Sequence, residues 1–195
     1  MNIVLLGGNG YIGRNVTKNW LKINPKTTFY VISRSGKNQL ESPQIKNIKA
    51  DVTNFDEINK RMPPKINYII DFIGAPEKDP KKFKEINNLP AEIMLKIAKA
   101  YNVEAMGFIG GILGDKAFVQ GKKEIEQMLR ASGIRLEVVA PTLVYGNGRK
   151  DNLVKMVPFL KFMGLFSTKF KPVDVNLVAD ELISKMVHSN KKNSN

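Results

Sequence analysis

The stretch NIVLLGGNGYIGRNV, residues 2–16, decides the fold, because an apolar run passes through four glycines straight into an amphipathic pattern. Residues 2–6 are typical of a buried strand. Ile12, Val16 and Trp20 recur every four residues and therefore line one face of a helix. The chain is predicted to open with a strand, a glycine turn and a helix.

Short apolar runs alternate with helical patterns along most of the chain, which predicts an α/β fold with a doubly wound parallel sheet of six to seven strands and helices on both faces. Thr53 is the predicted N-cap of a short helix that ends before Pro63 and Pro64. The predicted strands are residues 2–6, 28–33, 46–50, 67–73, 104–109 and 135–140, with a weaker one at 172–175.

Length and composition predict one globular domain. The chain has 195 residues, of which 43% are hydrophobic, enough for a single core. We expect a domain over residues 1–188 and a disordered tail over residues 189–195. A signal-peptide pattern and an apolar run long enough to cross a membrane are both missing, so we expect a cytoplasmic protein without a transmembrane segment.

The chain has no cysteine and one histidine, His188, which argues against disulfides, cysteine nucleophiles and a metal site. The net charge of +13 is compatible with nucleic acid, an anionic membrane or a phosphorylated ligand. Lys and Asn are spread through the chain rather than gathered into one basic and aromatic cluster. We therefore favour a general compositional bias and do not expect nucleic-acid binding.

The glycines fit two versions of a phosphate-binding motif. Gly8, Gly10 and Gly13 match G-x-G-x-x-G, and Gly7 gives a wider G-x-x-G-x-x-G spacing. A pyrophosphate must come close to the N–H groups at the positive end of a helix, and side chains would hold it away. The alternative is that the glycines serve only the turn geometry. The flanking strand and helix favour dinucleotide binding, with predicted contacts at Gly7, Gly8, Asn9, Gly10, Tyr11, Ile12 and Gly13.

The second predicted strand ends in YVISRSGK, residues 30–37. Sites that prefer NAD usually carry an acidic residue here, which bonds the adenosine ribose. This chain has Arg34 instead, and an arginine can make a forked contact with a 2′-phosphate. The position favours NADP over NAD, the alternative being an ordinary solvated charge.

Four segments together carry a family resemblance: GGNGYIGR (7–14), ADV (50–52), DFIGAP (71–76) and APTLVYGNG (140–148). With them the chain resembles the atypical or extended short-chain dehydrogenase/reductase family, a group of Rossmann-like proteins that includes the NAD-dependent epimerase/dehydratase-like and NmrA-like NAD(P)-binding proteins. The resemblance runs over residues 2–188. It implies cofactor contacts at Asp51 and Val52 beside adenine, at Phe72, Ile73, Gly74 and Ala75 after the fourth strand, and at Pro141, Thr142 and Val144 beside the nicotinamide.

The chain departs from this family at the reaction centre. The family relies on a Tyr-x-x-x-Lys helix, whereas the corresponding segment here is FVQGK, with Phe118 in place of tyrosine and Lys122 retained. Gly110 and Gly111 stand where the family has a hydroxyl residue. A positioned acid is typically worth about 10² to 10⁴ in rate, and phenylalanine has no proton to give. Lys122 is the one candidate catalytic residue, and it is also a candidate ligand of the nicotinamide ribose.

A second departure is the short C-terminal part, which leaves little room for the sugar-nucleotide region of extended members and argues against a nucleotide-sugar epimerase. Residues 146–172 are a candidate cap over the substrate. Within them residues 153–166 are mostly apolar. Three interpretations stay open for this segment: core packing, a cap over an apolar ligand, or a surface for a second subunit or a membrane.

These observations lead to a main hypothesis and an alternative. The main one is an NADP(H)-binding reductase of a flavin, quinone or other small apolar or aromatic acceptor that needs no tyrosine acid. The alternative is a non-catalytic redox sensor or assembly factor that binds the dinucleotide. A weaker third hypothesis is nucleic-acid binding through charge alone, which would weaken steeply with salt.

Overall fold

Six parallel strands form the central sheet of the computed structural model, which describes residues 1–149, 157–158 and 171–188. They are β1 (Asn2–Leu6), β2 (Thr28–Ser33), β3 (Ile45–Lys49), β4 (Tyr68–Asp71), β5 (Ala105–Ile109) and β6 (Leu136–Val139). Their order is β3-β2-β1-β4-β5-β6. The prediction of a doubly wound, Rossmann-like parallel sheet is confirmed. The strand order reverses between β1 and β4, which is where such sheets form a ligand crevice.

Helices cover both faces of the sheet. They are α1 (Tyr11–Ile23), α2 (Phe55–Asn59), α3 (Pro80–Phe83), a π-helical turn (Lys84–Asn88), α4 (Leu89–Ala100), α5 (Lys116–Arg130) and α6 (Val175–His188). On one face α1 and α6 bury a core that includes Trp20, packed edge-on against Phe29. On the other face α4 and α5 bury Met94 and Ile125. Each amphipathic helix thus places its apolar stripe on the sheet.

The weak strand predicted at 172–175 does not join the main sheet. It forms β8 (Val173–Asp174), which pairs in parallel with β7 (Val144–Tyr145) in a separate two-stranded sheet. The bond from Val173 N to Leu143 O, 2.9 Å, holds this pair together. β8 of this pair ends directly before α6 begins.

Two local predictions need correction. The N-cap of α2 is Asn54 rather than Thr53, because Asn54 Oδ1 accepts from Glu57 N at 3.1 Å while Thr53 is bonded to Asp51. β4 ends at Asp71 rather than at residue 73. The Asp71 side chain accepts from Ile73 N at 2.8 Å and turns the backbone away from the sheet.

The predicted cap, residues 146–172, and its apolar part, residues 153–166, lie largely outside the described residues, and the tail 189–195 lies wholly outside them. Within the part that the structure describes, Val157 is buried near Leu143. None of the described helices combines the length and the hydropathy that crossing a membrane requires.

Candidate functional site

A cleft of about 620 Å³ lies at the carboxyl ends of β1, β2 and β4, where the strand order reverses. This volume is typical of a small-molecule site. The cleft brings together predicted contacts from four separate segments of the chain. Its lining comprises Gly7, Asn9, Ile32, Ser33, Arg34, Ser35, Asp51, Val52, Thr53, Ile73, Glu85, Ile86, Leu89 and Pro90.

The glycine turn leads from β1 into α1 at the floor of this cleft. Gly7 has a φ of +68°, a backbone conformation that favours glycine, and its N–H donates to Ile32 O at 2.9 Å. A side chain on Gly13 would lie 2.6 Å from the Cα and O atoms of Gly8, so α1 and the turn are in backbone-to-backbone contact. A side chain on Gly8 would overlap Leu5 in the same way. These glycines are therefore required by packing.

The amino end of α1 begins directly after the glycine turn. Gly10 is the N-cap residue, and within the described residues no side chain caps the helix. The first N–H groups of a helix have no partner inside the helix, and together with the helix dipole they favour an anion. A side chain at Gly10 would meet only Gly7 O, at 3.2 Å. The turn and the amino end of α1 are therefore a candidate cradle for a diphosphate, which a Cβ at position 10 would partly fill.

Arg34 and Asp51 lie together at one end of the cleft. Asp51 Oδ1 accepts from Thr53 N at 2.9 Å and from Thr53 Oγ1 at 2.8 Å. These two bonds lower the pKa of Asp51, and the nearby charge of Arg34 lowers it further. Arg34 is exposed and also lines an adjoining hollow of about 400 Å³, called here the Arg34 hollow. The other side chains that line it are Lys49, Ala50, Asp51, Glu57 and Arg61.

Two buried ionisable groups lie beneath the β4 loop, residues 72–75. Asp71 is fully buried, and burial raises its pKa to about 7 although the charge of Lys122 and the bond from Ile73 N oppose the rise. Lys122 is 4% exposed, and burial lowers its pKa. Its Nζ lies 3.5 Å from Ile73 O and 4.5 Å from the centre of the Phe108 ring. Lys122 is not in the lining of the cleft.

Asn87 holds the other end of the β4 loop. It is fully buried in the π-helical turn, where its Nδ2 donates to Ala75 O at 3.0 Å and its Oδ1 accepts from Ala75 N at 3.2 Å. Gly74, with a φ of +149°, lies between the two supports, and a side chain there would overlap both Lys122 Nζ and Asn87 Oδ1. Phe72 N donates to Leu6 O at 3.0 Å. The loop is therefore fixed from below along its length.

The model of the NAD dependent epimerase/dehydratase family matches residues 3–127, more than half of the chain. The chain belongs to this family. The match includes the glycine turn, Arg34, Asp51, the β4 loop and Lys122. A comparison with curated protein sequences found no match.

Solved structures share the fold of this family member at low sequence identity. A short chain dehydrogenase family protein from Francisella tularensis has a TM-score of 0.70 and 18% identity, over 98% of this chain and 93% of that one. WbmH from Bordetella bronchiseptica, solved in complex with NAD+, has a TM-score of 0.72 and 14% identity, over 95% and 71%. UDP-glucose 4-epimerase from Thermotoga maritima has a TM-score of 0.72 and 14% identity, over 96% of this chain and 74% of that one.

Phe118 occupies the position predicted for the tyrosine of the epimerase/dehydratase family and its short-chain dehydrogenase relatives. It lies in the first turn of α5, where Asp115 Oδ1 accepts from its N–H at 2.9 Å. Its ring is 8% exposed and packs edge-on against Phe83, with 6.3 Å between centroids. A side chain at Gly111 would lie 2.7 Å from the Phe118 ring. This position provides an apolar contact and no proton donor.

The residues predicted to lie beside the nicotinamide are not in the lining of the first cleft. Pro141 and Thr142 line a second cavity of about 450 Å³ with Ile112, Tyr145 and Leu177. Ile112 and Leu177 are 50% and 63% exposed, and the exposed charged residues Lys171 and Glu181 also line this cavity, so its rim is partly apolar and partly charged. The remaining predicted residues have structural contacts: Val144 is buried in β7, Ile12 packs on the α6 side of the sheet, and the Tyr11 hydroxyl donates to Gly146 O at 2.7 Å.

Sequence reasoning missed Asp71 and Asn87. A carboxylate at the end of an apolar strand is ordinarily solvated, so YIID gave no sign of burial. A usable signal for Asp71 is its place in the register, opposite Leu6 of β1 and Phe108 of β5. The sequence carries no comparable signal for Asn87, because its contacts depend on the π-helical turn.

Proposed function

We propose that this chain is a cytoplasmic NADP(H)-binding protein within the NAD-dependent epimerase/dehydratase family. The observation that carries the proposal is the cleft at the strand-order reversal, where Gly7 and Asn9 of the turn that leads into α1 line a single site with Arg34. One of the similar folds, WbmH, was solved with NAD+. The cleft has the residue types and the size that a dinucleotide needs.

Each part of the cleft has a proposed role. The N–H groups of Tyr11 and Ile12 bind the diphosphate at the amino end of α1, and Gly10 leaves room for its approach. Asp51 and Val52 flank adenine. The β4 loop passes beside the cofactor, with Pro141, Thr142 and Val144 toward the nicotinamide. The sequence predicts a contact of Lys122 with the ribose, but the Lys122 ammonium lies beneath the β4 loop and outside the lining of the cleft, so the proposal does not depend on that contact.

The charges around the Arg34 hollow support a preference for the 2′-phosphate. Arg34, Lys49 and Arg61 contribute three cationic groups against the two carboxylates of Asp51 and Glu57. Asp51 is held by Thr53, and Glu57 is paired with Arg61 at 3.5 Å. Among the described residues both carboxylates thus have other partners, which supports a forked contact of the exposed Arg34 with a phosphate at the edge of the cleft.

A thermal-shift comparison tests the binding and the preference together. At about 100 times its dissociation constant, a ligand stabilises the folded state by roughly 2.7 kcal/mol, which for a chain of this size raises Tm by about 5 to 10 °C. NADPH should produce this shift and NADH a clearly smaller one. Arg34→Asp should remove the difference. Equal shifts with both dinucleotides in the wild type contradict the NADP preference, and no shift with either contradicts the function.

For the reaction, we propose hydride transfer to a flavin, a quinone or another small apolar acceptor. The reduced dinucleotide, when bound, supplies the hydride. Phe118 is buried and carries no proton, so a simple carbonyl would be left without an acid. A conjugated ring stabilises its own product anion by delocalisation. The second cavity, where Ile112 and Leu177 expose apolar surface, is the proposed place for such an acceptor.

A second candidate function is a non-catalytic redox sensor or assembly factor. The observation that favours it is the burial of both Phe118 and Lys122, together with glycines at positions 110 and 111. NADPH oxidation with a panel of flavins, quinones and carbonyls separates the two functions. Turnover above background with a ring acceptor supports the reductase. Tight NADPH binding without turnover on the whole panel supports the sensor.

A further inference from the structure

Asp71 is a carboxyl group placed in an apolar environment. In the parallel register it lies between Leu6 of β1 and Phe108 of β5, on the sheet face covered by α4 and α5. It is 0% exposed, and within the described residues its Oδ2 has no hydrogen-bond partner. A buried carboxyl with an unsatisfied oxygen is unfavourable unless a nearby charge compensates it.

The compensating charge comes from Lys122 on α5. Lys122 is the charged side chain that acts on Asp71 among the described residues, and Asp71 is likewise the charge that acts on Lys122. The groups that face Asp71 from the neighbouring strands, Leu6 and Phe108, carry no charge. The two groups therefore form a buried charge pair beneath the β4 loop, bridged by the backbone of Ile73 rather than in direct contact.

Both groups of the pair bond to the backbone of Ile73. Asp71 Oδ1 accepts from Ile73 N at 2.8 Å, and Lys122 Nζ donates to Ile73 O at 3.5 Å. The Ile73 side chain lines the cleft and packs against Gly7, where a Cβ would lie only 2.7 Å from Ile73 Cγ1. A direct line of contacts thus runs from the buried pair through Ile73 to the glycine turn.

We propose that Asp71 is a positioning residue, and that its buried charge pair with Lys122 holds Ile73 against the glycine turn so that the cleft is shaped for the dinucleotide. This inference rests on the proposed dinucleotide binding. It gives the retained Lys122 a role through the β4 loop rather than through direct contact with the ribose. Neither residue touches the ligand in this account.

A double-mutant comparison tests this proposal: Asp71→Asn, Lys122→Met and the double variant, each assayed for Tm without ligand and for NADPH affinity by fluorescence titration. Each single variant removes the charge that compensates the other buried group, so Tm should fall by roughly 5 to 15 °C and NADPH affinity by roughly tenfold. The double variant removes both charges and keeps similar volumes. It should recover most of the lost Tm and bind NADPH within about threefold of the wild type.

The pH dependence provides a readout that simple loss of packing would not change. The charge of Lys122 lowers the pKa of Asp71, so Lys122→Met raises that pKa further above 7. When folding raises the pKa of a carboxyl, the free energy of unfolding falls as the pH rises from the pKa of the unfolded chain to that of the folded protein. The Tm deficit of Lys122→Met should therefore be larger at pH 8.5 than at pH 6, whereas the deficit of the double variant should not grow.

Asn87→Ala is the matched control, because it removes an uncharged support of the same loop. It should lower Tm by an amount that is the same at pH 6 and pH 8.5. A pH-dependent deficit of the same size in this variant would contradict the charge-pair explanation.

Two results overturn the proposal. If the double variant binds NADPH as weakly as Lys122→Met, Lys122 contacts the ligand directly. If Asp71→Asn binds NADPH like the wild type, Asp71 does not position the cleft. Should Asp71→Asn fail to fold, the NADPH affinities of Lys122→Met and the double variant, compared with each other, decide the test. Failure of the wild type to bind NADPH refutes the proposed function, while the ligand-free Tm pattern still tests the charge pair.

Discussion

The two halves of the dinucleotide path differ in how much of the family pattern they keep. On the proposed adenosine side, Gly7 and Asn9 of the glycine turn line one cleft with Arg34 and Asp51, and among the described residues no side chain caps α1. On the reaction side, Phe118 is packed against Phe83 and Lys122 is buried beneath the β4 loop.

This difference shows that binding and acid–base chemistry depend on separate contacts in this fold. Binding relies on backbone N–H groups and on the absence of side chains at a few positions, so it does not require the family's tyrosine. Proton donation relies on one hydroxyl, which phenylalanine cannot replace. A chain can therefore keep the first property and lose the second.

The largest expected effect comes from the glycine turn. Gly13→Ala places a Cβ 2.6 Å from the Gly8 backbone, which cannot move aside like a flexible side chain. We expect a loss of several kcal/mol of stability, at or above the roughly 1 to 3 kcal/mol typical of overpacking, measured by chemical denaturation.

Gly10→Ala is the matched substitution in the same turn, since its Cβ meets only Gly7 O at 3.2 Å and its φ of −71° suits alanine. It should fold normally yet bind NADPH at least about tenfold more weakly, because the Cβ enters the diphosphate cradle. Wild-type NADPH affinity in Gly10→Ala would contradict the proposed binding of the diphosphate at the amino end of α1.

A smaller effect is expected at Lys49, which lines the Arg34 hollow. Lys49→Ala should weaken NADPH binding by about two- to fivefold and leave NADH binding unchanged, because one exposed charge contributes about 1 kcal/mol or less. Lys46 lies on the same strand and points to the Tyr30 ring, 5.3 Å from its centre. Lys46→Ala is therefore the control, and an equal loss there would mean that general charge rather than the hollow attracts the phosphate.

The smallest effect is expected from restoring the tyrosine. Phe118→Tyr returns a hydroxyl, but Gly110 and Gly111 provide no second hydroxyl to orient a carbonyl. We expect carbonyl reduction by NADPH to stay at background in a spectrophotometric assay, with NADPH affinity unchanged. Appearance of carbonyl turnover would show that the reaction side differs from its relatives by this one residue.

Much of the fold could be predicted because each element has a local cause. The glycine turn between an apolar run and a four-residue repeat fixes β1 and α1, and the run of alternating elements fixes the parallel sheet. The N-cap of α2 was wrong by one residue because Thr53 and Asn54 are both good capping residues, and only the bond to Asp51 removes Thr53 from competition.

The parts of the site that depend on long-range packing could not be predicted from the sequence. Lys122 looked like a ribose ligand because the family spacing is retained, and its burial follows from contacts with Phe108 and Ile73 on distant strands and loops. The pairing of Asp71 with Lys122 spans segments far apart in sequence. Local patterns do not encode such a contact.

The most direct test of the central claim is a crystal structure of the wild-type protein with saturating NADPH. The account predicts the diphosphate against the N–H groups of Tyr11 and Ile12, and the 2′-phosphate within hydrogen-bond distance of the Arg34 guanidinium. An empty cleft at saturating NADPH, or a dinucleotide bound away from the amino end of α1, would contradict it.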